Sequence, residues 1–194
     1  MIRILRASGY RSMPWKNGGG VTTEIAIYPR DAGLDAFHWR VSMASVSSDG
    51  PFSTFTGTDR TLAVLEGEGI RLAIDGRDPV LLTGASEPLS FPADVPTEGT
   101  LKHGPILDLN VMVSRDKAHA RVERHVGPCA LDLAPKRGWT LLLVNRGRVS
   151  LHLQQGEEEL SARDCLLVEG DDSPVSFDAT TGSEFYVVRI APNL

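Results

Sequence analysis

The 194-residue sequence predicts an all-β protein made of two related β-units in one chain. Three observations carry this reading. Runs of about 4–10 residues rich in Val, Ile, Thr and aromatics recur along the chain, each closed by turn residues. Windows with an i, i+3, i+4 apolar pattern are scarce, because glycine and proline interrupt them. Finally, TLAVLEGEGIRLAIDG (61–76) is echoed by TLLLVNRGRVSLHLQQG (140–156). Ile70, Leu72 and Ile74 match Val149, Leu151 and Leu153 at an offset of 79, and Pro96 stands opposite Pro174 at an offset of 78. A shared period at two distant points predicts a duplication within the chain.

Taken in order, the strands fall on TTEIAIYP (22–29), FHWRVSMASV (37–46), RTLAVLEG (60–67), GIRLAIDG (69–76) and ILDLNVMVS (106–114). WTLLLVNRG (139–147), RVSLHLQQG (148–156), LLVEG (166–170) and EFYVVRIAP (184–192) follow. The polar segment SRDKAHARVERHVGP (114–128) reads as the seam between the units. Hydrophobic residues make up 41%, enough for a packed core, and the net charge of −5 argues against a nucleic-acid partner. No apolar stretch approaches the roughly 20 residues of a membrane span, and the start lacks a signal-peptide h-region, so no membrane partner and a cytoplasmic location are expected. Cys129 and Cys165 read as reduced thiols. An exposed sheet edge offers pairing to a second copy of the chain, a homodimer.

Repeated hairpin–strand–turn units suit a cupin, a small double-stranded β-helix barrel. Metal-binding cupins place two histidines two residues apart on a strand, so that both reach one ion. The five histidines (His38, His103, His119, His125, His152) include no such pair, and no metal or other cofactor is expected. Ser42, His103 and Asp108 have no nucleophile elbow around the serine, so no hydrolytic triad is expected either.

The polar positions that remain are more informative. In PWKNGGG (14–20), the amides of Gly18 and Gly19 can form an anion nest, beside the charge of Lys16 and the amide of Asn17. It fits no phosphate-loop pattern, because a strand follows it. In FHWRVSMASV, Arg40 and Ser42 share one face, directed either to water or to a barrel lumen. Asp108 and Asn110 share a face of an otherwise apolar strand, where both are disfavoured and need partners such as Arg40, Arg60 or Lys16. Phe52 and Phe55, in a Gly/Pro-punctuated connector, read as plugs of a barrel end.

PWKNGGGVTTEIA (14–26), FHWRVSMASVSSDGPFSTFTGTDRTLAVLEGEGIRL (37–72) and GPILDLNVM (104–112), in this order, closely resemble the HutD/Ves family of bicupins over roughly residues 10–115. The resemblance implies two cupin units, residues 1–118 carrying the pocket motifs and 119–194 a divergent copy. It also implies a regulatory role in histidine utilisation, no established catalysis, and a small acid ligand, with urocanate and formylglutamate as candidates. Carried onto this sequence, its motif positions are Trp15, Lys16, Asn17, Gly18, Gly19, Thr22, Arg40, Ser42, Arg60, Asp108 and Asn110. After Asn110 the chain reads VMVSRD, with Arg115 alone where the family pattern often has two consecutive arginines. On this reading PWKNGGG is the lip of the first pocket, Trp15 its flat wall, and the basic side chains its grip on a carboxylate.

Overall fold

The computed structural model describes residues 1–16, 18–129, 131–134, 137–170 and 175–193. Among them are eighteen strands, one short 3-10 turn (Ala7–Gly9) and no α-helix. The chain divides into two compact units, residues 11–118 and residues 1–10 with 119–194. The first strand, β1 (Ile2–Leu5), therefore belongs with the carboxy-terminal part, so the amino-terminal unit begins at Arg11 rather than at Met1.

The amino-terminal unit contains β2 (Arg11–Pro14), β3 (Gly20–Tyr28), β4 (Trp39–Val46), β5 (Gly50–Pro51) and β6 (Thr58–Glu66). It continues with β7 (Ile70–Ile74), β8 (Val80–Leu82), β9 (Leu89–Pro92), β10 (Thr97–Leu101) and β11 (Ile106–Ser114). A six-stranded sheet in the order β2-β3-β4-β11-β6-β9 is accompanied by a four-stranded sheet, β5-β10-β7-β8. Their facing side chains form one core: Ala44, Val46, Leu62, Val64 and Ile106 from the first, Ile70, Leu72, Ile74 and Leu82 from the second. β7 alternates buried and exposed residues, as a strand with one solvated face must. β4 and β11 are buried along nearly their whole length. On strands buried on both faces, a polar residue has no water to turn to.

The carboxy-terminal unit adds β12 (Ala118–Val126), β13 (Trp139–Arg146), β14 (Val149–Leu153), β15 (Gly156–Leu160), β16 (Cys165–Glu169), β17 (Ser176–Ala179) and β18 (Glu184–Pro192). Its sheets run β1-β16-β13-β18-β12 and β15-β14-β17. The seam expected at 114–128 is thus largely a strand, β12, lying beside β18 at the sheet edge. Its charged residues suit an edge: Arg124 pairs with Glu184 at 2.7 Å, and Arg121 with Glu123 at 2.9 Å.

The duplication is written in the pairings. β6 pairs with β11 and β9, and β13 with β18 and β16; β7 pairs with β8 and β10, and β14 with β15 and β17. Both central ladders slip by one residue at the same place, after Val64 and after Val144. That bulge aligns Arg60, Leu62 and Val64 with Thr140, Leu142 and Val144, an offset of 80 rather than 79. Across the ladder, Asp108 and Asn110 align with Phe185 and Val187. Where the first unit has these polar side chains, the second has an apolar cluster built from Leu142, Val144, Leu151, Phe177, Phe185 and Val187 with their neighbours.

Candidate functional site

A cavity of about 590 Å³ opens into the amino-terminal unit. Three adjacent strands build its floor. In β4–β11–β6 register, Arg40, Met112 and Arg60 stand in one row, Ser42, Asn110 and Leu62 in the next, and Ala44, Asp108 and Val64 in the third. Because side chains two apart share a face, all three rows point into the same space. Arg40, Ser42, Ala44, Arg60, Asp108, Asn110 and Met112 all line it. Asp108 is completely buried between two apolar neighbours, and Arg40 and Arg60 are each 5% exposed.

The two arginines are held differently. Arg40 donates from Nε to Glu24 at 2.7 Å, so its charge is compensated locally. Arg60 has no such carboxylate. Its guanidinium lies 5.2, 5.6 and 6.0 Å from the rings of Phe52, Phe55 and Phe91, and Nη2 donates to the Ser53 carbonyl at 3.1 Å. An arginine among three aromatic faces is fixed in place while its charge stays available. Burial lowers its pKa to about 10; Asp108 counters that fall and Arg40 adds to it. Burial likewise pushes the Asp108 carboxyl up to about 7, against the pull of Arg60, of Asn110 and of the Ala44 backbone. Asp108 accepts a short hydrogen bond from the Asn110 amide. Two buried polar atoms here have no hydrogen-bond partner among the described residues, Arg60 Nε and Asp108 Oδ2.

The hairpin between β2 and β3 borders the cavity. Trp15 and Lys16 line it with Thr22, whose hydroxyl accepts from Trp15 Nε1 at 2.8 Å. Gly18 and Gly19 do not line it. Gly18 makes the turn at φ +72°, with open space around it, and the Gly19 carbonyl accepts from the Ser47 amide and hydroxyl at 3.0 and 3.1 Å. Gly20 explains the third glycine: a Cβ there would run into the Ser45 carbonyl and the Trp15 ring. The glycines therefore shape the hairpin and seat Trp15. Asn17 lies outside the described residues.

The structure thus gathers Trp15, Lys16, Thr22, Arg40, Ser42, Arg60, Asp108 and Asn110 around one cavity. His103 is exposed and stands apart from it. Arg115 is tied instead to Asp59 at 2.7 Å and Asp94 at 2.8 Å. Sequence reasoning missed Glu24 as the partner of Arg40, and took Phe52 and Phe55 for plugs when both line the cavity and flank Arg60. The signal for Glu24 was a carboxylate among β-branched residues in VTTEIAIY, paired in register with Ser42. Among the described residues, no helix is long and apolar enough to cross a membrane.

Fold and pocket together define a cupin protein with a basic, aromatic-walled cavity in one of its two units. The fold is shared with a cupin 2 conserved barrel domain protein from Leptotrichia buccalis, at a TM-score of 0.61 and 11% identity over 97% of this chain and 100% of that one. The chain belongs to the HutD family, whose profile matches residues 7–187, well beyond the stretch 10–115 that carries the motif resemblance. A structure of HutD from Pseudomonas fluorescens SBW25 (formate condition) superposes at a TM-score of 0.85, with 32% identity and all of both chains covered. An uncharacterized 21.2 kDa protein in the hutC 3' region of Pseudomonas putida is 36% identical over 88% of each chain. Protein Ves of Citrobacter koseri is 39% identical over 58% of this chain and 59% of its own.

Proposed function

We propose that the protein binds a small carboxylic acid in the amino-terminal cavity and acts as a sensor in histidine utilisation, with urocanate or formylglutamate as the acid. The observation that carries this is Arg60: a buried guanidinium with an unpartnered Nε in a cavity of metabolite size. Arg60 takes the carboxylate head, Lys16 adds charge at the rim, and Trp15, Phe52 and Phe55 supply flat walls for the body of the acid. Charge-assisted hydrogen bonds contribute roughly 1.5–3 kcal/mol each, so two or three of them support micromolar binding, about −8 kcal/mol, after ordering costs. Membership of the HutD family, and a relative described by its place beside hutC, support the link to that pathway.

Thermal unfolding with the two acids tests this. An acid present at 100 times its dissociation constant adds about 2.7 kcal/mol, which raises the midpoint by about 5–10 °C for a chain of this size. The rise is expected in the wild-type protein and not in Arg60→Met. No rise with either acid, in folded protein, contradicts the reading. A second reading, a proton-transferring enzyme on the same acids, is favoured by one observation, the near-neutral Asp108 in the cavity. NMR of the acid after incubation separates the two, since a sensor returns it unchanged.

A further inference from the structure

The charges in and around this cavity do not leave room for an anion unless one of them changes. Arg40 is matched by Glu24 at 2.7 Å, and Arg60 is matched through space by Asp108 whenever that carboxyl is ionised. The three buried charges, Arg40, Arg60 and Asp108, together with the half-buried Glu24, then sum to zero. At the rim, Lys16 and Asp49 are both exposed and oppose each other in sign. Bringing a carboxylate to Arg60 leaves one uncompensated negative charge beside side chains that are themselves almost wholly buried, where the lower dielectric penalises it. One group can relieve this. Asp108 is wholly buried, its Oδ2 has no hydrogen-bond partner among the described residues, and it lines the same cavity as the unpartnered Arg60 Nε.

We propose, building on the small-acid reading above, that Asp108 takes up a proton when a carboxylate binds, so that the bound acid is held between Arg60 Nε and a protonated Asp108 Oδ2. The pair then offers two donors where the empty site offers one donor and one acceptor. The Asn110 amide keeps Oδ1 occupied, so the proton has Oδ2 as its place. The proton comes from solvent and returns there on release; no bond of the ligand is broken. Because burial already brings this carboxyl to about pH 7, an arriving anion raises it into the physiological range and above. Acid binding thereby becomes a reading of metabolite and pH together.

The groups facing Asp108 do not supply a competing titration. Arg60 on β6 stays cationic below about pH 10, and Arg40 on β4 is held in its ion pair with Glu24. Glu24 on β3 is engaged by Arg40, and Asn110 on the same strand does not titrate. The carboxyls of formylglutamate, with ordinary pKa values near about 4, stay ionised throughout the range used.

The experiment is calorimetric titration of formylglutamate at pH 6, 7 and 8 in buffers of different ionisation heat, with acetate as a minimal second probe followed by NMR. The wild-type protein is expected to take up close to one proton per formylglutamate at pH 8 and much less at pH 6. Its Kd should rise towards tenfold per pH unit above neutrality for both probes. Asp108→Asn, a neutral isostere of the protonated acid, should bind with a Kd flat in pH and without proton uptake. Binding without uptake in the wild type, or pH dependence retained in Asp108→Asn that is folded at each pH used, overturns the proton proposal while leaving the acid-binding reading intact. No binding of either probe at any pH, with urocanate equally silent, defeats both.

Discussion

Asp108 is a liability that the fold retains. A carboxyl whose folded-state pKa lies above its unfolded value contributes stability below the unfolded pKa, and that contribution is lost as pH rises through the folded one. With about 7 in the folded state against 3.8 in the reference carboxyl, the loss falls between about pH 4 and 7. It amounts to about 4 kcal/mol when complete. Asp94, Asp116 and Asp164 move the opposite way, their carboxyls held low by Arg115, by Lys117 and Ser114, and by Ala7, Arg6 and Ser161 respectively. The contribution of Asp108 is therefore read as a difference between proteins. Urea unfolding of the wild type and Asp108→Asn at pH 5 and 7.5 should show the variant gaining on the wild type by a few kcal/mol as pH rises. A constant gap would contradict a buried, near-neutral Asp108. The residue also illustrates what a sequence discloses. An aspartate and an asparagine two apart in ILDLNVMVS announce a polar face on a buried strand. Arg60, which opens a strand after a turn, looks solvated until Phe52 and Phe55 from the connector before it and Phe91 from β9 close around it.

At the scale of elements, the hairpin of β2 and β3 separates two uses of glycine. Gly18 needs its positive φ, so alanine there costs about 1 kcal/mol, through backbone strain alone. Gly20 needs the absence of a side chain, so alanine there displaces Trp15 and costs about 1–3 kcal/mol. Chemical denaturation ranks the two, and acid binding distinguishes them: Gly20→Ala should weaken it by disturbing the wall, while Gly18→Ala leaves it near wild type. Equal effects on binding would mean that the glycines themselves face the ligand. Strands with strong alternation or solid apolar runs, such as β4, β7, β11 and β13, were legible in the sequence. β12 was not, because an edge strand whose charges are paired laterally has the composition of a linker. Two- and three-residue strands such as β5 and β8 carry too little pattern to register at all. Glu24 stayed hidden because a bulge at Ile25 breaks the alternation that would have placed it.

At the scale of the whole molecule, the duplicated units have diverged where their interiors meet solvent. One keeps Arg60, Asp108 and Asn110; the other has Thr140, Phe185 and Val187 at the same register and fills its barrel. A constant repeat offset in sequence pointed to the duplication, but single-residue changes in the turns shift the true correspondence, and only pairing reveals it. The first ten residues belong to the filled unit. β1 pairs with β16, and Arg6 reaches Glu158 at 2.7 Å and Asp164 at 3.0 Å. Removing residues 1–10 should therefore raise hydrogen exchange in β16 and leave β4, β6 and β11 protected, by mass spectrometry. Loss of protection in the pocket strands instead would contradict the division at Arg11. The central claim, that this cavity holds a small acid by Arg60, meets its most direct test in calorimetric titration of urocanate and formylglutamate into wild type and Arg60→Met near pH 6.5. The account predicts one site per chain at micromolar Kd for at least one acid, weakened at least tenfold in a variant that unfolds at the wild-type midpoint. Unchanged affinity in Arg60→Met, or no heat of binding from either acid, would contradict it.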